Sequence, residues 1–398
     1  MRQLHRVSVV GVVVGVLCWT AVATAPTLAA GRSADTSRTN AFFYGVACAS
    51  ASSCEAVGAW LYPTRVGAES NLAEHWNGSK WTVQTVPRPK RASLSELLGV
   101  ACPSAKSCFA VGYYNVSATA TAPLADRWNG SKWEVQPLVQ PHGSDGVLQA
   151  IACQSVHSCM AVGDYETTDG NLQNLSEHWN GTKWSVQRPA VASGSVNELL
   201  GVACTSTASC TAVGQEGEIQ ATFADHWNGA KWTVQSTPNP PGMSTPGLSG
   251  VACRASAMCM AVGASDYGVE MYTLAERWNG SSWVIVKTED PSTATHPNNS
   301  LVAVSCPSIS RCIAVGHDSN ASNTFVTLAE SWNGSKWSAV SIPGSPAGAE
   351  NQLTAVSCAS RSSCMAVGYA QSSSFTGGAT VAERWNGSRW TVVSTPAP

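Results

Sequence analysis

The sequence predicts an all-β fold, a seven-bladed β-propeller with four antiparallel strands and one local disulfide in each blade. Three observations carry that expectation. A block of about 50 residues returns seven times along the 398-residue chain. Each copy holds a Cys-x5-Cys followed by Ala-Val-Gly and closes with Trp-Asn-Gly-x-x-Trp, as in Cys48, Cys54, Gly58, Trp76 and Trp81 of the first. Within each copy, short runs rich in β-branched and aromatic residues alternate with turn residues, and no helical periodicity competes. A repeat of this length is one supersecondary unit that buries its core by stacking on its neighbours. Fifty residues is close to the limit for autonomous folding, which favours a closed ring over independent beads. A solenoid would use shorter repeats.

The elements follow in chain order. Residues 1–30 read as a secretory signal: Arg2 and Arg6 form a basic start, Val7 to Ala23 is apolar, and Leu28-Ala29-Ala30 ends a run of small residues. The apolar run is short for a membrane span. Leu17 stands before Cys18 where a lipidation site would carry a small residue. Residues 31–41 read as a flexible linker and 42–398 as the propeller, with blades at approximately 42–93, 94–145, 146–195, 196–245, 246–298, 299–349 and 350–398. Using the second copy, the four strands fall near Leu98 to Cys102, Cys108 to Gly112, Leu124 to Trp128 and Trp133 to Gln136. The chain opens and closes without permutation, so the ring is expected to shut by contacts between blades one and seven rather than by a shared blade.

The repeat absorbs 14 of the 15 cysteines. The pairs are Cys48–Cys54, Cys102–Cys108, Cys153–Cys159, Cys204–Cys210, Cys253–Cys259, Cys306–Cys312 and Cys358–Cys364. In an exported chain such local pairs read as hairpin disulfides, each worth only ~2 kcal/mol by loop closure. Zinc would need four ligands, and His157 is the only histidine inside any of the seven loops, so no metal and no cofactor is expected. A catalytic thiol pair would not be copied seven times. The tryptophans follow suit: 14 of 16 belong to the repeat. Asn-Gly suits a tight turn because both residues accept positive φ, and a four-residue loop sets the two tryptophans opposite each other. Six of the turns also read Asn-Gly-Ser/Thr, a glycosylation sequon in a glycosylating host. Two residues before each first tryptophan stands an acid: Glu74, Asp126, Glu177, Asp225, Glu276, Glu330 or Glu383. Seven equivalents point to a structural hydrogen bond, to amides of a neighbouring turn, rather than to catalysis.

The turn resembles the Asp-box of sialidase-type propellers, in which Gly precedes Trp by three residues as Gly78 precedes Trp81. The repeat length and the Gly and Trp usage resemble kelch repeats. Trp76 holds the position of the Asp-box aspartate, and the kelch Gly-Gly pair is absent. The resemblance covers residues 42–398, implies a propeller, and carries over no active site.

Antiparallel strands place the Cys loops and the Asn-Gly turns on one face, where the copies are nearly alike. The loops from strand two to strand three, and those between blades, share the other face and differ from copy to copy, which marks it as the place for function. Candidate ligand-binding residues there are Tyr113, Asp164, Tyr165, Glu216, Glu218, Asp266, Tyr267, His317, Asp318 and Tyr369. Removing the signal leaves 21 basic and 25 acidic residues, a charge of −4, with no basic footprint for nucleic acid. The expectation is a secreted, monomeric, non-enzymatic recognition propeller that binds an extracellular glycan, peptide or protein through its variable face. The alternatives are a secreted glycan hydrolase or lyase with loop carboxylates at the channel mouth, such as Asp164, Glu166, Glu216 and Glu218, and a purely structural envelope protein.

Overall fold

The computed structural model describes residues 40–61, 69–141, 144–189, 196–217, 221–344, 349–372 and 378–396. The expected signal segment, most of the linker and Glu218 lie outside the described residues. Blade one comprises β1 (Asn40–Ser50), β2 (Ser53–Leu61), β3 (Glu69–Trp76) and β4 (Trp81–Gln84), hydrogen-bonded in that order as one antiparallel sheet. Blade two repeats this with β5 (Ser95–Ser104), β6 (Ser107–Asn115), β7 (Thr121–Trp128) and β8 (Trp133–Val135), and five further sheets follow the same order. Each first strand packs on the first strands of the two flanking blades, and the first blade packs on the seventh, so seven innermost strands form the wall of a closed ring.

The first two strands of each blade run several residues further towards the variable face than the sequence pattern suggests. A β-bulge interrupts this longer pairing. Between Phe43 and Gly45 in β1 one residue, Tyr44, has no partner in β2, and the same slip recurs in every blade at Leu98, Gln149, Leu200, Ser249, Val302 and Thr354. The bulge explains the Ala-Val-Gly motif. A Cβ added to its glycine, Gly58 or any of the six equivalents, would lie 1.8 to 2.1 Å from a carbonyl oxygen of the first strand. Only glycine lets the bulged strand come that close.

The core lies between blades. Trp76, Trp81 and Phe43 of blade one pack with Met365, Val367 and Ala382 of blade seven. The two tryptophans of each turn sit opposite each other with ring centroids 5.7 to 5.9 Å apart. The first of the pair ties strand three to the Cys loop, as when Trp179 Nε1 donates to Val156 O at 3.2 Å. The second reaches the preceding blade, as when Trp133 Nε1 donates to Gln84 Oε1 at 2.6 Å. All seven disulfides form within their blades, with Cα atoms 3.9 to 4.1 Å apart. Ring closure uses the same kinds of contact, without strand exchange. The Thr354 hydroxyl donates to Phe43 O at 2.8 Å, and Cys48 N donates to Ser357 Oγ at 3.0 Å.

Two details differ from the sequence reading. In the Asn-Gly turns only the glycine takes positive φ, between 94° and 103°. The asparagine acts through its side chain instead: Asn77 Oδ1 accepts from Ser79 N at 3.0 Å, Ser79 Oγ at 2.9 Å and Lys80 N at 3.0 Å. Its preference is therefore that of a side-chain acceptor capping a loop. The strand acids are fully buried, and the partners of Asp126, Glu330 and Glu383 are not amides of the Asn-Gly turns. These three reach the preceding blade, where Asp126 accepts from Asn71 Nδ2 at 3.2 Å, Glu330 from Glu289 N at 3.2 Å and Glu383 from Gly344 N at 3.1 Å. Pro123 occupies the position in blade two that Asn71 holds in blade one, and the next acid, Glu177, has no hydrogen-bond partner on either oxygen. Burial pushes these carboxyls up, to about 8 for Glu74, Glu177, Glu276 and Glu330 and about 7 for Asp126 and Glu383.

Candidate functional site

Apart from Glu218, the candidates taken from the sequence lie in second strands rather than in loops, at the variable end of their blades. Most remain in separate blades. Asp164 is buried in blade three and accepts from Gln149 Nε2 at 3.4 Å, while Tyr165 packs against the core between blades two and three. Glu216 in blade four is raised by burial, beside a Gln215 that donates to Glu198 at 2.7 Å. In blade five, Asp266 accepts from the Thr245 hydroxyl and Tyr267 stands 60 % exposed. His317 and Asp318 in blade six are both buried. The His317 ring sits 4.5 Å from Phe325, and burial lowers it to about 4, so it is neutral at ordinary pH. Asp318 is raised by burial, against hydrogen bonds from Ser292 and the Ser319 amide.

Tyr113 and Tyr369 are the exception, because the ring brings blades seven, one and two together around Tyr44. Tyr44 is the bulge residue of β1 and stands on the channel wall. Its hydroxyl is pushed well above the ordinary tyrosine range by burial first, then by the charges of Glu96 and Glu69 and by the neighbouring Tyr369 and Tyr113. Glu96 lies on β5, directly opposite Tyr113 on β6, while Glu69 opens β3. Burial raises Glu96 well above the carboxylate range. The hydrogen-bonded Glu69 carboxyl and its charge raise it further, and a hydrogen bond from Tyr113 opposes the shift. Burial and the adjoining Glu69 thus favour the uncharged form of the Glu96 carboxyl. On the other side, Tyr369 meets Phe42 edge-on at 5.0 Å and is pushed up to about 12 by burial, with the charge of Glu350 adding. The result is a patch of three phenols and three carboxyls at the variable end of the channel, spanning three blades.

Tyr44, Glu69, Glu96 and Glu350 are absent from the candidates read off the sequence. One signal could have found the first: the residue before the strand-one glycine or alanine is Tyr, Leu, Gln, Leu, Ser, Val or Thr across the blades, a divergent position beside a uniform stretch. Glu96 stands three residues before its glycine, where the copies carry Phe, Glu, Val, Glu, Gly, Ser or Gln. Among the described residues no three His, Cys, Asp or Glu side chains are grouped as metal ligands would be, and no helix is long and apolar enough to cross a membrane.

No protein-family model matches this chain, and no curated protein is similar to it in sequence. Solved structures do match in fold. A polysaccharide lyase, an ulvan lyase bound to -[GlcA(1-4)Rha3S]-, superimposes with a TM-score of 0.55 at 10 % identity, covering 91 % of this chain and 98 % of its own. Weaker matches are Sqt1 of Chaetomium thermophilum bound to the N-terminus of a ribosomal protein (TM-score 0.48, 10 % identity, 88 % and 86 % covered) and a Trypanosoma rangeli sialidase with sialic acid (TM-score 0.47, 11 % identity, 86 % and 54 % covered). At such identities the lyase establishes the propeller fold and nothing about the site. The seven disulfides point to an oxidising, extracellular environment.

Proposed function

We propose that this chain is an exported recognition propeller that binds a glycan at the variable mouth of its channel. The observation that carries the reading is the convergence of Tyr44, Tyr113 and Tyr369 with Glu69, Glu96 and Glu350 from three blades. Phenol rings offer flat apolar surface with a polar tip, and carboxyl oxygens accept from hydroxyls. That combination suits sugar hydroxyls. The ulvan lyase also holds a glycan, which makes glycans the first class to screen.

One observation favours a second reading, a lyase or hydrolase. Burial raises the Glu96 carboxyl well above the carboxylate range beside Tyr113, the direction a general acid needs. A two-carboxylate glycosidase is poorly served, because Glu69 and Glu96 are in hydrogen-bond contact, closer than the ~5 Å that retaining enzymes need.

A glycan array read for both binding and product formation tests this. Tyr113→Phe and Glu96→Gln are expected to weaken the best ligand at least about tenfold, the loss of one or two hydrogen bonds, with no product formed by the native chain. Product that disappears in Glu96→Gln establishes the enzyme instead. Binding unchanged in both variants overturns the site.

A further inference from the structure

The face opposite the candidate site carries its own chemistry. The residue before the second tryptophan of each turn is basic in six blades, Lys80, Lys132, Lys183, Lys231, Lys336 and Arg389, and is Ser282 in the remaining one. All six are exposed. The Cys loops beside these turns add Lys106, Arg254 and Arg361, also exposed. That the turns and Cys loops adjoin is shown by Gly130, whose added Cβ would lie 3.3 Å from the Lys106 Cβ. Of these nine cations the described structure gives an ion pair to Lys132 alone, with Glu134 at 2.7 Å. Glu55 is buried against His75, and the strand acids near the turns are fully buried, so neither screens these exposed cations.

The variable end carries an excess of acids, including Glu69, Glu198, Glu216, Asp266 and Glu350, over the cations Arg88, Lys90 and Arg91. A small net charge thus conceals a disc with one cationic and one acidic face. Like charges gathered without partners destabilise the compact state, so a partnerless ring of cations is a cost that an anionic partner would relieve.

We propose that the face of the Cys loops and Asn-Gly turns is a second binding surface, which holds a flexible acidic polysaccharide on its ring of cations. Charge complementarity sets the sign of the partner, and three features choose among polyanions. A lipid surface would be met by apolar side chains standing out of this face. Its loops and turns are mostly small or polar residues and cations, and among the described residues Ile309 is the large apolar side chain exposed on them. A single-stranded nucleic acid would need exposed aromatic rings for stacking. The turn indoles are packed in the core or against the Cys loops. Cations spread around a disc, rather than aligned in two rows, fit a pliant chain better than a rigid duplex. The oxidising environment implied by seven disulfides is also one in which acidic polysaccharides are accessible.

Blade five supplies the test, because Ser282 shows that serine is compatible with this position in the same fold. The oxidised chain and a Lys80→Ser, Lys183→Ser, Lys231→Ser, Lys336→Ser variant are titrated with fluorescent polygalacturonate. Neutral dextran, phosphatidylglycerol vesicles and duplex DNA serve as competing probes, and melting curves check that the variant is folded. Expected are binding of polygalacturonate but not dextran at 50 mM NaCl, and a loss of at least about tenfold both at 500 mM NaCl and in the variant. No binding by the native chain at 50 mM NaCl, or undiminished binding by the folded variant, overturns the proposal. Tighter binding of vesicles or DNA than of polygalacturonate overturns the choice of polysaccharide.

Discussion

On one face of the disc, seven Cys loops and seven Asn-Gly turns repeat with nearly the same residues. On the other, the ends of the same strands carry Glu96 and Tyr113 in one blade, Glu198 and Gln215 in another, and Ser300 and His317 in a third. Both faces are made by the same repeat, and the difference lies in what stacking demands. Near the turns, each blade contributes two tryptophans, a disulfide and a buried acid to its neighbour, so a change in one copy is felt by two blades. Beyond the bulge, the first and second strands extend past that packed layer, and their side chains are released from the repeat. Uniformity therefore marks the part of the molecule under packing constraint, and divergence marks the part that is free to differ.

Three experiments break or sharpen that contrast. The largest effect is expected from the uniform half as a whole. Reducing all seven disulfides removes ~2 kcal/mol of loop-closure entropy apiece, more than 10 kcal/mol together. The melting temperature of the reduced chain should fall by tens of degrees. A reduced chain that melts with the oxidised one would show that the stacked indoles alone hold the blades.

A single-residue comparison comes next. Trp179 is buried against Phe109 of the preceding blade at 5.6 Å and Trp184 at 5.7 Å. Trp179→Ala should cost about 3–5 kcal/mol in denaturant unfolding. Tyr267→Ala, 60 % exposed at the variable end, should stay within about 0.5 kcal/mol. Similar costs at the two positions would remove the distinction between the halves.

The smallest effect concerns pH. Glu177 rises from an ordinary carboxylate value near ~4.3 in the unfolded chain to about 8 when buried. A group whose proton is held more tightly in the fold contributes stability that is fully present below ~4 and lost as pH rises towards 8. Unfolding free energy should therefore decline from pH 4 to pH 8. Glu177→Gln should flatten that decline and be about 1–3 kcal/mol more stable than the native chain at pH 8, since no partner of the carboxylate is lost. An unchanged pH profile in the variant would show that Glu177 is solvated.

Much of the architecture is legible in the chain because its causes are local. The Cys spacing closes a hairpin, the Trp-Asn-Gly-x-x-Trp spacing sets two indoles across another, and seven copies make a ring. The turn chemistry was legible only in part. Asn77 favours the loop through its side-chain oxygen rather than its backbone, and only the hydrogen bonds reveal that. The candidate site was barely legible. Tyr113 and Tyr369 could be picked out as divergent, but 256 positions of sequence separate them, and Tyr44 looked like part of a uniform strand.

The sequence by itself determined the repeat, the number of blades, the cysteine pairing and the face on which the copies diverge, since each follows from spacing within about 50 residues. Tertiary structure alone decided the bulge in the inner strands, the buried acids that reach the preceding blade, and the patch of phenols and carboxyls where blades seven, one and two meet. These depend on ring closure, which joins residues at opposite ends of the chain by contacts that no local pattern encodes.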